Sequence, residues 1–163
     1  MTLAKIVSGG QSGVDRGALD AALKHGFPCG GWCPPGRMAE DGPIPDSYPL
    51  VEMPHGDYLE RTIQNVVDSD GSAIVYFGEL SGGTEQTLLH CIQRGKPYKL
   101  IDASEIPAER AATLVDEFVA RHAIATLNVA GPRASEAPAA YAYAFDFVSR
   151  LLARLYDFRP IGR

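Results

Sequence analysis

The chain has 163 residues, a formal net charge of -5, 45% hydrophobic and 21% charged residues, a composition expected of one ordinary globular domain. The acidic balance argues against general attraction to nucleic acid, which depends on neutralising phosphates with Lys and Arg, and no apolar run approaches the roughly 20 residues that span a bilayer. Three cysteines, Cys29, Cys33 and Cys91, are too few for a disulfide framework, and residues 1–8 leave no room for a signal segment, so reduced thiols and a cytoplasmic location are expected.

In chain order, a β-branched stretch at 4–8 passes through "SGGQSGVD" into a helical pattern over 15–25, closed by Gly26. A Gly- and Pro-rich stretch from 27 to 50 reads as a long ordered loop with room for one or two short strands. The segment 57–70 places Leu59, Ile63, Val66 and Val67 on one helical face, and 72–77 reads as a buried strand. The turn 78–83, a helix ending at Gly95 and a strand at 97–102 follow. A helix carrying Ala111, Leu114, Val115, Phe118 and Val119, a strand at 124–129 and the turn "AGPRAS" come next. A last helix opens at a candidate N-cap, Ser135, with Tyr141, Phe145, Val148, Leu152 and Leu155 on one face. It has more apolar surface than one face needs, which suggests a homodimer interface or a second covering face within the monomer.

Alternating strands and helices predict an α/β fold, a mainly parallel sheet with helices on both faces. Ligands of such sheets bind beyond the carboxyl ends of the strands. That rule selects three turns rich in Gly and small polar residues. In the first, Gly9, Gly10 and Gly13 allow backbone amides close to an anion, Gln11 and Ser12 add side-chain hydrogen bonds, and Ser12 or Asp15 is placed to cap the helix. The second, "ELSGGTEQT", repeats the design with Gly82, Gly83, Thr84 and Thr87. The third sets Asn128, Gly131 and Arg133 between a strand end and a helix start, where a guanidinium suits phosphate or carboxylate. Each turn by itself is also explained by glycines that merely supply positive φ. Neither GxGxxG nor GxxxxGK[ST] occurs in them.

In the long loop, Arg37, Glu40 and Asp41 follow Trp32, a potential stacking face for an aromatic ring. Cys29 and Cys33 have no second pair at zinc-site spacing, and His25, His55, His90 and His122 begin no catalytic motif, so no protein-bound metal is expected.

The stretches "SGGQSGVDRGALDAA", "GGWCPPGRMAEDGPIPDSYPL", "ERTIQNVVDSDGSAIVYF", "SGGTEQT" and "NVAGPRAS" resemble the molybdenum carrier family, a circularly permuted YpsA branch of the Rossmann-like SLOG superfamily. The resemblance runs in order along nearly the whole chain. It implies a Rossmann-like domain that binds a phosphate-bearing, nucleotide-like small molecule as a carrier or sensor, with molybdopterin as one such ligand. The same superfamily includes phosphoribohydrolases that cleave the N-glycosidic bond of nucleoside monophosphates. By that likeness Arg61 matches their helix arginine, and Gly82, Gly83 and Thr84 match the phosphate-gripping part of PGGxGTxxE. The essential glutamate does not carry over: the corresponding positions hold Gln86 and Thr87, with Glu85 beside Thr84 and Glu79 nearby as substitutes. Hydrolysis is therefore the alternative to binding alone.

Overall fold

A computed structural model of the chain describes residues 3–157. Its centre is a five-stranded, all-parallel sheet in the order β2-β1-β7-β5-β6, built from Lys5–Val7 (β1), Cys29–Gly30 (β2), Gly71–Tyr76 (β5), Tyr98–Asp102 (β6) and Thr126–Ala130 (β7). Trp32–Cys33 (β3) and Val51–Glu52 (β4) form a separate parallel pair at the ends of the long loop. The helices are Val14–Lys24 (α1), Tyr58–Val67 (α2), Gly82–Gln93 (α3), Ala108–His122 (α4) and Ala140–Asp157 (α5). The expected α/β architecture is the observed one.

Strand β5 explains the layering. Both its faces are covered, so it reads as an unbroken apolar run. Ala73 and Val75 join the core under α1, α4 and α5, while Ile74 points the other way, against Val66 of α2 and Cys91 of α3. Gly26, at φ 62, takes the left-handed conformation that ends α1. Asp57 begins α2 with a reciprocal cap: its side chain accepts from Leu59 N and its own N–H donates to Glu60 Oε2 at 2.8 Å.

Two readings of the helix ends need correction. Helix α1 is preceded by Gly13 and has no side-chain cap, so neither Ser12 nor Asp15 caps it. Helix α5 begins at Ala140, because Ser135 spends its hydroxyl on Glu40 Oε2 at 2.5 Å and residues 134–136 and 138–139 form turns. The surplus apolar surface of α5 is covered within the chain. Ala144, Phe147, Val148, Leu151 and Leu152 are all fully buried among α1, α4 and the sheet, and Tyr141 is exposed. This packing removes the reason for expecting a dimer interface there.

The long loop has its own small core, in which Cys33, Ile44 and Leu50 pack on Leu19 of α1. Arg37 organises it. Its guanidinium donates to the carbonyls of Ile44, Leu50, Pro45 and Tyr48 at 2.8–3.2 Å. All three cysteines are free thiols.

Candidate functional site

A cleft of about 300 Å³ opens beyond the carboxyl ends of β1 and β7, walled by α2 and the first turn of α3. This is where a parallel sheet with a reversal in strand order places its ligands. Three turns selected from the sequence border it. Gly9, Gln11 and Asp15 come from the first, Gly83, Thr84 and Thr87 from the second, and Asn128, Gly131 and Arg133 from the third.

The floor is a buried ion pair. Arg61 Nη1 lies 3.1 Å from Asp15 Oδ2, with side-chain exposures of only 9% and 8%. Asp15 Oδ2 also accepts from Gln11 N at 3.2 Å, which locks the first turn against α2. Burial pushes the Asp15 carboxyl above its ordinary range, and the adjacent guanidinium offsets part of that rise. Gly9 is required here, since a Cβ at that position would overlap the Arg61 guanidinium. Arg61 Nε donates to Tyr58 O at 3.2 Å, and its Nη2 has no protein acceptor among the described residues.

Gln11 is held as rigidly. Its Oε1 accepts from Ser12 N at 3.0 Å and Glu40 N at 2.9 Å, which fixes the orientation of the amide. The Nε2 at the other end is buried and has no hydrogen-bond partner. A buried donor without an acceptor is costly, and in a cleft wall it marks a place where a ligand oxygen is welcome. Asn128 presents a comparable pattern, with Nδ2 donating to Ser72 Oγ at 3.1 Å and Oδ1 left unbonded.

The amino end of α3 is the open anion site. Ser81 precedes it without a side-chain cap, and the N–H groups of Gly82, Gly83 and Thr84 have no protein acceptor. Thr84 is only 6% exposed, yet its hydroxyl bonds to nothing in the chain.

Several sequence candidates stand elsewhere. Gly10 and Gly13 serve packing: a Cβ on Gly10 would strike Leu50 and Ile44, and one on Gly13 would strike the backbone of Pro132 and Ala134. Ser12 Oγ donates to Glu40 Oε1 at 2.5 Å and accepts from Ala134 N at 3.2 Å. Arg37 is the loop's internal tie rather than a cleft residue. Trp32 donates from its ring to Asp68 at 2.6 Å and lies outside the cleft. Glu85 is exposed and does not line the cleft, and neither does Gly82. Conversely, Tyr58, Thr62 and Asn65 of α2 line it without having been selected. Their only sequence signal is the spacing 58, 61, 62, 65 along one helical face. Both the Arg61 and the Arg133 guanidinium groups lie over the Tyr58 ring, at 5.7 and 5.2 Å.

Against this geometry, residues 6–152 match the model of the circularly permutated YpsA SLOG family. The chain belongs to that family. A crystal structure from Syntrophus aciditrophicus SB, named "Putative molybdenum carrier protein", is 47% identical, with a TM-score of 0.90 over 93% of this chain and 96% of that one. No curated protein matches. For this cpYpsA-type SLOG chain, no helix among the described residues is long and apolar enough to cross a membrane.

Proposed function

We propose that the cleft binds a phosphate-bearing, nucleotide-like small molecule and that the protein acts as its carrier or sensor. The observation that carries this reading is the uncapped amino end of α3, whose free N–H groups and Thr84 hydroxyl open on a cleft that also holds the orphan Nε2 of Gln11. A helix amino end has the partial positive charge and the donors that a phosphate takes. Arg61, paired with Asp15, and Arg133, paired with Glu136, add guanidinium donors to the wall. Molybdopterin, which the family resemblance implies as one such ligand, is compatible with these donors through its phosphate and pterin. No cysteine lines the cleft among the described residues, so no thiolate is offered there to a molybdenum cargo.

The hydrolytic alternative has less support. Its candidate carboxylate, Glu85, stands outside the cleft, and the carboxylates that line it are engaged: Asp15 with Arg61 and Gln11 N, Asp57 in the cap of α2, and Glu136 with Arg133. The test is a thermal melt with AMP, ADP and molybdopterin. A ligand at 100 times its dissociation constant should add about 2.7 kcal/mol, or roughly 5–10 °C for a chain this size. No shift with any of them at millimolar concentration overturns the binding reading, and release of free base from AMP would favour hydrolysis.

A further inference from the structure

A second cavity of about 200 Å³ lies on the other side of the α3 amino end. The two cavities share Thr84, Pro132 and Glu136, so they are lobes of one groove that meet at the helix start. Gly83 faces the first lobe and Ser81 the second. Their linings differ. The first contains Arg61 and Arg133 together with Asp15 and Asp57, whereas the second contains no Lys or Arg; the shared Glu136 is held by Arg133 at 3.2 Å, which leaves Glu79 as the second lobe's own carboxylate.

We propose, resting on the reading above, that the ligand is bipartite: its phosphate group sits at the α3 amino end, one portion fills the Arg-lined lobe, and a hydroxyl-bearing, sugar-like portion fills the Glu79 lobe. Three observations carry this. Thr84 is more than nine-tenths buried, its hydroxyl has no partner in the protein, and it stands in the wall of both lobes. A hydroxyl there is placed to donate to a group lying across the junction. The Glu79 carboxylate makes no ion pair or side-chain hydrogen bond among the described residues, so its acceptors are free. The unpaired Glu79 carboxylate repels a second phosphate and accepts from the hydroxyls of a diol, while Phe77 offers an apolar wall to the carbon face of a sugar ring. A ligand ending in its phosphate would leave this lobe to water.

The experiment compares AMP with ADP-ribose by calorimetry on the wild type and on Glu79→Gln. Glu79 is exposed and its side chain makes no ion pair or hydrogen bond among the described residues, so the variant will fold. The expected result is ADP-ribose binding at least about tenfold tighter than AMP, with most of that gain lost in Glu79→Gln and AMP unaffected, the effect of losing hydrogen bonds to one charged acceptor. Thr84→Val should weaken both ligands, since its hydroxyl faces the junction. Equal affinity for AMP and ADP-ribose, or a gain for ADP-ribose that Glu79→Gln leaves intact, overturns the bipartite reading while leaving phosphate binding standing. If neither ligand binds wild-type protein with a native melt, the bipartite reading falls, and the binding reading falls with it only if molybdopterin also leaves the melt unshifted.

Discussion

Two helices begin beside the cleft, and what stands in front of each differs. Before α1, the carbonyl of Pro132 accepts from Val14 N at 3.2 Å, and a Cβ on Gly131 would overlap Val14. Gln11 N and Ser12 N are also taken, by Asp15 and by the Gln11 side chain. The third turn therefore plugs the first. Before α3 there is no such plug: Gly82 and Gly83 have no neighbouring atoms where a Cβ would stand, and three N–H groups are unclaimed. Similar glycine-rich turns thus do opposite work. One uses glycine to let two segments of chain touch, and the other uses it to leave a helix end bare. An unpaired amino end keeps the donors and partial charge that α1 has already committed.

The largest expected effect comes from the ion pair that joins the closed turn to α2. Arg61→Ala strips Asp15 of its counterion in a buried site and should destabilise the protein by about 3–5 kcal/mol in urea unfolding at pH 7. The loss should shrink in acid. Without Arg61 the folded-state pKa of Asp15 rises further above its unfolded value of 3.8, and a raised carboxylate pKa means that the folded state binds the extra proton. The penalty on the folded state is thus fully present above the raised pKa and fades as pH falls through it. A penalty that does not shrink as pH falls from 7 toward 3.8 would show that Asp15 is not the group left stranded.

The same substitution made in each turn then sharpens the contrast. Gly13→Ala meets both a φ of 84 and the backbone of the third turn, and should cost about 2–4 kcal/mol. Gly83→Ala meets open space and should leave stability unchanged or raise it by up to about 1 kcal/mol, since alanine favours a helix over glycine. Its cost should appear in AMP affinity, because the added methyl stands in the cleft wall. Equal destabilisation at the two positions in parallel urea titrations would abolish the distinction between plugged and open turns.

This distinction explains how far the sequence could be read. Strand and helix order, the parallel sheet and the three turns at its carboxyl edge follow from local periodicity and glycine placement, and the structure has them. The assignment of Gly82, Gly83 and Thr84 to an exposed helix start is also local. What fills the α1 amino end is not, because Pro132 and Gly13 are more than a hundred residues apart and meet through the pairing of β7 with β1. For the same reason Ser12, Gly13 and Arg37 looked like ligand residues. Their donors and their lack of a side chain are consumed by partners that periodicity does not reveal. Tyr58 and Asn65 went unselected because a polar residue on an amphipathic helix ordinarily faces solvent, and only the position of α2 over β1 and β7 turns that face toward a cleft.

The smallest expected effect concerns the clasp that holds the plug in place. Glu40, in the long loop, accepts from Ser12 Oγ in the first turn and from both Ser135 Oγ and Ser135 N in the third, all within 3.1 Å. These bonds hold its carboxyl below the ordinary 4.5, first through Ser12 and then through Ser135. A depressed carboxylate pKa contributes stability that is fully present above 4.5 and is lost as pH falls through the lower folded-state value. Glu40→Gln keeps the shape but removes the charge, so its melting temperature should lie slightly below wild type at pH 7. The gap should close as pH falls through the depressed folded-state pKa of Glu40, where the wild-type carboxyl also becomes neutral. Glu40 is exposed, so solvent screening keeps the difference small. Because Glu40 touches the plugged turn and Gln11 but not the α3 amino end, the variant should leave the N–H groups of Gly83 and Thr84 as exchange-labile as before while loosening Gln11 and Ser12. Amide exchange that rose equally at both turns would mean that the open helix end also depends on the clasp.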